Sequence, residues 1–175
     1  MSRLASVELH AEELHFSAGH FTIFSATERE DLHGHNYTVT TTLHLSLPEE
    51  GLGFDYRFYK DKIRALCVQL DRRFLLPAHS RFLRLEENEN NWIAHFNHEP
   101  LSFLKRDVMI LPISNVTIEE LSHWFLQELI KENQDQIKAH HIHGIVLKVS
   151  NGPGQSGGAQ WGKLNLINHD YDHIS

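Results

Sequence analysis

Asn36-Tyr-Thr-Val-Thr-Thr-Thr-Leu-His-Leu-Ser-Leu47 is the stretch that decides the fold class. Tyr37, Val39, Thr41, Leu43, Leu45 and Leu47 share one parity, and Asn36, Thr38, Thr40, Thr42, His44 and Ser46 share the other. An apolar–polar alternation of period two describes a strand with one face on a core and the other in water, as in antiparallel sheets. Thr and Val suit its pleat. Upstream, Leu14, Phe16, Ala18 and His20 repeat the pattern. Residues 8–20 are therefore expected to form the preceding strand, joined to 36–47 by a loop at 21–32.

Downstream the period lengthens. Tyr59, Ile63, Leu66, Cys67 and Leu70 fall on one stripe of an amphipathic helix over 56–70, with Asp55 as its expected N-cap. Thr117-Ile-Glu-Glu120 reads as a capping box opening a second helix to about Lys131, with Ile118, Leu121, Phe125 and Leu129 inward. Ile145, Leu147 and Val149 mark a further strand. The glycine-rich segment 151–158 reads as a loop, and a weaker strand over Ala159–Leu166 follows it. Between the helices, residues 78–112 form an insert. In it the polar run Glu86–Asn91 divides two apolar runs as a hairpin turn would. The order β-β-α-α-β-β plus a small β-hairpin insert predicts an α+β fold, an antiparallel sheet with both helices on one face.

The 175 residues, 41% hydrophobic and 22% charged, suit one globular domain over 1–175. A net charge of −7 with no basic stripe speaks against nucleic acid as a partner. No apolar run is long enough for a membrane span, and the first residues are too polar for a signal peptide. With a single cysteine, Cys67, these features predict a cytoplasmic protein.

Histidine is over-represented, at 15 residues. His33 and His35 stand at i, i+2 with the parity of Tyr37, Val39 and Leu43, so both rings project to the buried face. His20 has the parity of Leu14, Phe16 and Ala18 on the neighbouring strand. Three imidazoles converging over an apolar sheet, with a fourth position open, is the arrangement of a catalytic zinc site. His140-His-Ile-His143 is expected to be a histidine-rich loop. His79, His95, His98, His123, His169 and His173 are expected to be structural or exposed, with His79 a candidate stand-in for a catalytic histidine.

The blocks Phe16-Ser-Ala-Gly-His20 and His33-Gly-His-Asn-Tyr37 resemble the zinc signature of the 6-pyruvoyl-tetrahydropterin synthase and 6-carboxy-tetrahydropterin synthase family. Gly53-Phe-Asp55, Leu70-Asp71 and Thr117-Ile-Glu119 continue the likeness in order, over most of the chain except 78–112. The resemblance implies the tunnelling fold, in which strands of several subunits close a barrel, and a homo-oligomer, a hexamer built as a dimer of trimers. It also implies a Zn2+ cofactor and a pterin-like small molecule such as dihydroneopterin triphosphate as substrate. Thr117 and Glu119 would then bind substrate, and Asp71 would belong to the catalytic set.

The chain departs from that family at three reactive positions. No cysteine lies in Ser25–Leu32 ahead of His33. Arg72 follows Asp71 where the family has a histidine. Lys148-Val-Ser-Asn151 lacks the carboxylate expected to hold the pterin. Glu28, Glu30 and Asp31 are candidates to replace the cysteine as base, with Glu30 preferred. Arg72, permanently charged, suits a phosphate or carboxylate. Cys67, in the helix stripe, reads as a core thiol. Two functions follow as expectations: a zinc-dependent carbon–oxygen lyase acting on a reduced pterin, or a zinc-containing paralogue that binds such a metabolite or assembles with partners without turning it over.

Overall fold

The strand read first is the centre of the structure. In a computed structural model that describes residues 3–164, β3 (His33–Leu47) pairs antiparallel with β1 (Arg3–Leu9), β2 (His15–His20) and β9 (Ile142–Ser150). The single strand expected over 8–20 is thus two strands. A turn at 10–14, closed by the Leu14 amide on the Ala11 carbonyl at 3.0 Å, breaks it. Both pieces still pair with β3, at opposite ends of it.

The sheet is mixed, which corrects the antiparallel expectation. After α1 (Arg57–Leu70), β4 (Arg73–Pro77) runs parallel to β2, and β8 (Val108–Leu111) runs parallel to β4. Parallel neighbours need a crossover between them; α1 leads into β4 and residues 78–107 join β4 to β8, so the expected insert 78–112 ends inside the main sheet, at β8. The strand order is β10-β9-β3-β2-β4-β8 with β1 beside β3, and β10 spans Ser156–Gly162. β10 thus starts three residues before the expected Ala159 and narrows the expected 151–158 loop. The expected end at Leu166, together with His169 and His173, lies outside the described residues.

The expected inward stripe of α1, Tyr59, Ile63, Leu66, Cys67 and Leu70, is buried. Asp55 acts one position further out than expected. Tyr56 is the N-cap, and Asp55 accepts the Arg57 N–H at 3.0 Å. The second helix, α2 (Ile118–Ala139), runs past the expected Lys131 through a kink at Asn133, whose side-chain amide donates to the Leu129 carbonyl at 2.7 Å. Its capping box is half formed. Thr117 Oγ1 accepts the Glu120 N–H at 3.3 Å, while the Glu120 carboxylate takes the Ser114 N–H at 3.0 Å. Both helices share one apolar core with Phe16, Tyr37, Val39, Leu43, Ile145 and Leu147, so they cover the same sheet face. No helix among the described residues is long and apolar enough to cross a membrane.

The insert is larger than a hairpin. β5 (Arg84–Glu87), β6 (Asn91–Phe96) and β7 (Glu99–Leu104) form a three-stranded antiparallel sheet. Asn97 and His98, with φ of 43° and 67°, make the two-residue turn between the last two. A second core cluster joins this sheet to the 21–32 loop: Leu83, Ala94 and Phe96 pack with Phe21, Ile23, Leu76 and Val108.

Candidate metal and acid–base site

The β2–β3 pairing builds the site. His20 faces His33 across the last rung, and His35 faces Ala18 two residues along. One imidazole nitrogen from each of the three histidines lies within 4.8 Å of the others, as the parity argument predicted. His20 is 4% exposed, and its Nδ1–H donates to the Val116 carbonyl at 2.9 Å. A carbonyl can only accept, so the proton sits on Nδ1 and Nε2 keeps its lone pair. That Nε2 is buried with no hydrogen-bond partner. His33 repeats the device, with Nδ1–H on the Asp31 carbonyl at 2.8 Å and Nε2 3.0 Å from His35 Nε2. Burial, with a smaller contribution from His33, depresses the His35 pKa. Burial also depresses that of His20, against the bond to Val116. Nε2 atoms turned inward with backbone carbonyls behind the rings, as at His20 and His33, are what a divalent metal requires, and the orphaned His20 Nε2 fits such an ion.

Tyr37 forms the floor. Its ring meets His20 and His35 edge-on, at 6.0 and 5.7 Å, and stacks on Phe16 at 4.8 Å. Burial raises its hydroxyl pKa, so the phenol stays protonated.

Glu30 is the acid nearest the cluster among the three considered. Its Oε2 accepts the Thr22 N–H at 2.8 Å and lies 3.9 Å from His33 Nε2. Burial acts to raise its pKa, but the bonds from Thr22 and the nearby His33 and His20 outweigh it and hold the carboxyl below its usual range. Glu30 is therefore ionised and able to accept a proton. Glu28 and Asp31 are exposed.

Asp71 and Arg72 make no hydrogen bond or ion pair with the histidines. Asp71 Oδ1 accepts the Ser17 N–H at 2.8 Å, and the Arg72 N–H donates to the Ser17 carbonyl at 2.7 Å, which starts the pairing of β4 with β2. Arg72 adopts a left-handed φ of 59°, unusual for a side-chain-bearing residue. Its side chain is 90% exposed, 3.5 Å from Asp71. It does share an open cavity of about 520 Å³ with His35, Asn36, Arg73, Phe74 and Asp107. Gly19 lies under the Phe74 ring beside that cavity, where a Cβ would sit 2.6 Å from the ring. Thr117 caps α2, directly after the Val116 carbonyl that orients His20. Glu119 is exposed and makes no ion pair or side-chain hydrogen bond with described residues. Cys67 is buried in α1, its thiol pushed up to about 12 by burial.

Sequence reasoning brought together the three histidines that the structure clusters and placed Glu30 beside them, but it missed the groups that aim them. The Val116 and Asp31 carbonyls and the Thr22 amide are backbone atoms that no side-chain pattern reports.

A curled mixed sheet carrying two helices and a three-histidine cluster defines a class that comparison with known proteins identifies. Residues 9–144, more than half of the chain, match the family described as 6-pyruvoyl tetrahydropterin synthase. The chain belongs to this family, a group of pterin-synthase-type lyases. It is 31% identical to the solved Plasmodium falciparum 6-pyruvoyl tetrahydropterin synthase, covering 91% of this chain and 99% of that one with a TM-score of 0.86. The Plasmodium vivax 6-pyruvoyltetrahydropterin synthase, solved as an alanine variant of a glutamate described as a catalytic residue, is 29% identical. It covers 92% of this chain and 99% of its own, at a TM-score of 0.87. A Methanocaldococcus jannaschii protein provisionally named a 6-carboxy-5,6,7,8-tetrahydropterin synthase is 27% identical over 151 residues, 84% of this chain and 89% of the relative. Residues 78–112 are a fifth of the chain, so the 91% coverage means that most of the insert is shared with the P. falciparum structure. The likeness is therefore wider than the sequence blocks alone implied.

Proposed function

We propose that this protein is a zinc-dependent carbon–oxygen lyase of the 6-pyruvoyl-tetrahydropterin synthase and 6-carboxy-tetrahydropterin synthase type, acting on dihydroneopterin triphosphate or a related reduced pterin. The observation that carries the reading is the joint placement of His20, His33 and His35 with an ionised Glu30, 3.9 Å from His33.

The three histidines would hold the ion, and zinc bound there supplies Lewis acidity toward side-chain oxygens of the substrate. Glu30 takes a proton from a side-chain carbon as the bond from carbon to the triphosphate oxygen breaks. Its Thr22 bond keeps the carboxylate oriented and charged before the transfer. The description of a glutamate in the P. vivax relative as catalytic supports a carboxylate in this role. Arg72 holds an anionic group of the substrate in the cavity beside His35, its backbone fixed on the Ser17 carbonyl and Asp71 on the Ser17 amide. Thr117 and Glu119 contact the ligand from the start of α2. A homo-oligomer, a hexamer arranged as a dimer of trimers, completes the site. The open edge strands β10 and β8 and the exposed Phe24 and Leu32 of the site loop support that assembly.

One observation favours a second reading, in which the chain binds a pterin without turning it over. Arg72 occupies the position where the family resemblance expects a histidine, and a guanidinium cannot exchange protons.

The test is to measure zinc per chain in protein purified without added metal, then to incubate it with dihydroneopterin triphosphate and follow triphosphate by chromatography. About one zinc per chain with release of triphosphate, abolished in Glu30→Ala, is the expected result. Zinc without turnover selects the binding reading, and absence of zinc rejects both.

A further inference from the structure

We infer that Asn115 is a positioning residue that ties the acid Glu30 and the metal-facing His20 into one rigid unit. The inference rests on the functional reading above and extends it to a residue that touches neither substrate nor metal.

Asn115 stands between β8 and α2, and its side chain reads the backbone of Ile23 as a neighbouring strand would. Nδ2 donates to the Ile23 carbonyl at 2.8 Å, and Oδ1 accepts the Ile23 N–H at 3.1 Å. The same Oδ1 accepts the Val116 N–H at 3.0 Å. Each bonded residue is one step from a functional group. Thr22, just before Ile23, donates its N–H to the Glu30 carboxylate, and its carbonyl accepts the Glu30 N–H at 2.9 Å. The Val116 carbonyl accepts the His20 Nδ1–H. Ile23 and Val116 are buried, at 6% and 0% exposure, so these bonds work in a dry environment where loosening one leaves a polar group unpaired.

Only asparagine meets all three demands at this length. Aspartate keeps both accepting bonds but turns a carboxylate oxygen onto the Ile23 carbonyl. Alanine abandons the clamp. Ile23 also bridges Arg29 across the loop, so the clamp holds both arms of the loop that carries Glu30.

The experiment compares wild type, Asn115→Asp, Asn115→Ala, Glu30→Gln and the double variant Asn115→Asp/Glu30→Gln. Three readouts are used: zinc affinity by chelator competition, kcat and KM, and the His20 Nδ1–H resonance of metal-free protein by NMR. Loss of a group that orients a metal-bound histidine is expected to weaken zinc roughly ten-fold or more. In Asn115→Asp, kcat is expected to fall at least ten-fold with KM within about two-fold. The double variant is expected to be no slower than Glu30→Gln, because a displaced acid and an absent acid cost the same step. The His20 proton, slow to exchange in wild type, is expected to be lost in the Asn115 variants. Wild-type zinc affinity and a retained His20 proton in Asn115→Asp would overturn the inference, as would fully multiplicative losses in the double variant. If Asn115→Ala fails to fold, Asn115→Asp decides. A Glu30→Gln enzyme with undiminished kcat would reject the role given to Glu30, and a wild-type chain without zinc would reject the metal site. In either case the His20 proton still decides whether Asn115 orients that ring.

Discussion

His33 Nε2 lies 3.0 Å from His35 Nε2, closer than two lone pairs tolerate unless a proton or a cation stands between them. The His33 Nδ1 proton is committed to the Asp31 carbonyl, so the His33 Nε2 lone pair is turned toward that gap, where a cation would be held. Zinc at a hundred times its Kd adds about 2.7 kcal/mol to stability. Chelation is therefore expected to lower Tm by roughly 5–10 °C in a domain of this size. Calorimetry with and without chelator checks this, and His20→Ala is expected to show no zinc-dependent shift.

Glu30→Gln preserves an acceptor for the Thr22 N–H and so leaves the loop in place. The amide cannot take a proton, and kcat is expected to fall about 10²- to 10⁴-fold with zinc content unchanged. Glu28→Gln and Asp31→Asn change exposed side chains and are expected to retain wild-type rates. Steady-state kinetics on the three variants separates the candidate bases.

Cys67 is expected to be chemically silent. It is 1% exposed and its thiol is held near 12, so the thiolate needed for attack on an alkylating reagent is scarce at neutral pH. Iodoacetamide treatment of the folded protein, read by mass spectrometry and activity, is expected to leave both unchanged. Cys67→Ala is expected to cost about 1–2 kcal/mol of stability with kcat unaltered.

His140 links stability to pH. Its ring stacks on Phe54 at 4.1 Å, and its Nδ1 is 3.0 Å from the Tyr59 hydroxyl. Burial first, and His141 second, lower its pKa from 6.5, while burial raises that of Tyr59, so the phenol donates to a neutral imidazole. With the folded pKa below the unfolded one, the unfolded chain binds more protons between the two values, and stability rises with pH there. The contribution is complete above about 6.5 and drains as pH falls toward the folded value. Urea titrations of chelated protein between pH 7.5 and 5.5 are expected to show a flatter decline for His140→Gln than for wild type.

The parts of the molecule written as side-chain periodicity were legible in the sequence. The alternation of Tyr37, Val39 and Leu43 located β3 and placed His33 and His35 on its buried face, and the stripe from Tyr59 to Leu70 located α1. β4 itself was not legible, because Arg73–Pro77 is short and a parallel strand buried in a mixed sheet carries no alternation. The turn dividing β1 from β2 shows as a change of parity, Val7 and Leu9 facing inward on one side of it and Phe16 and Ala18 on the other, which a single strand over 8–20 cannot have. At the candidate site, the clustered histidines were visible as residue types. The atoms that fix their tautomers, the carbonyls of Val116 and Asp31, have no sequence signature. Asn115, two residues ahead of the Thr117 cap, carries no sequence pattern that marks its role.

The second core cluster gives the insert and the acid loop a common fate. Phe21 and Ile23 flank Thr22, the residue that holds Glu30, and they are buried against Leu83, Ala94 and Phe96 of the insert. The Arg29 guanidinium lies over the Phe21 and Phe96 rings, 5.2 and 5.8 Å from their centres, and donates to the Glu30 carbonyl at 2.7 Å. Amides in β6 and in the loop, far apart along the chain, are therefore expected to open together and to share one opening free energy in native-state hydrogen exchange. Whatever loosens the small sheet, a substitution in its turn or a binder on its outer face, also changes how often the acid is in place. In the proposed reaction the insert would act as a throttle on turnover, set by local stability and acting at a distance from the reacting atoms.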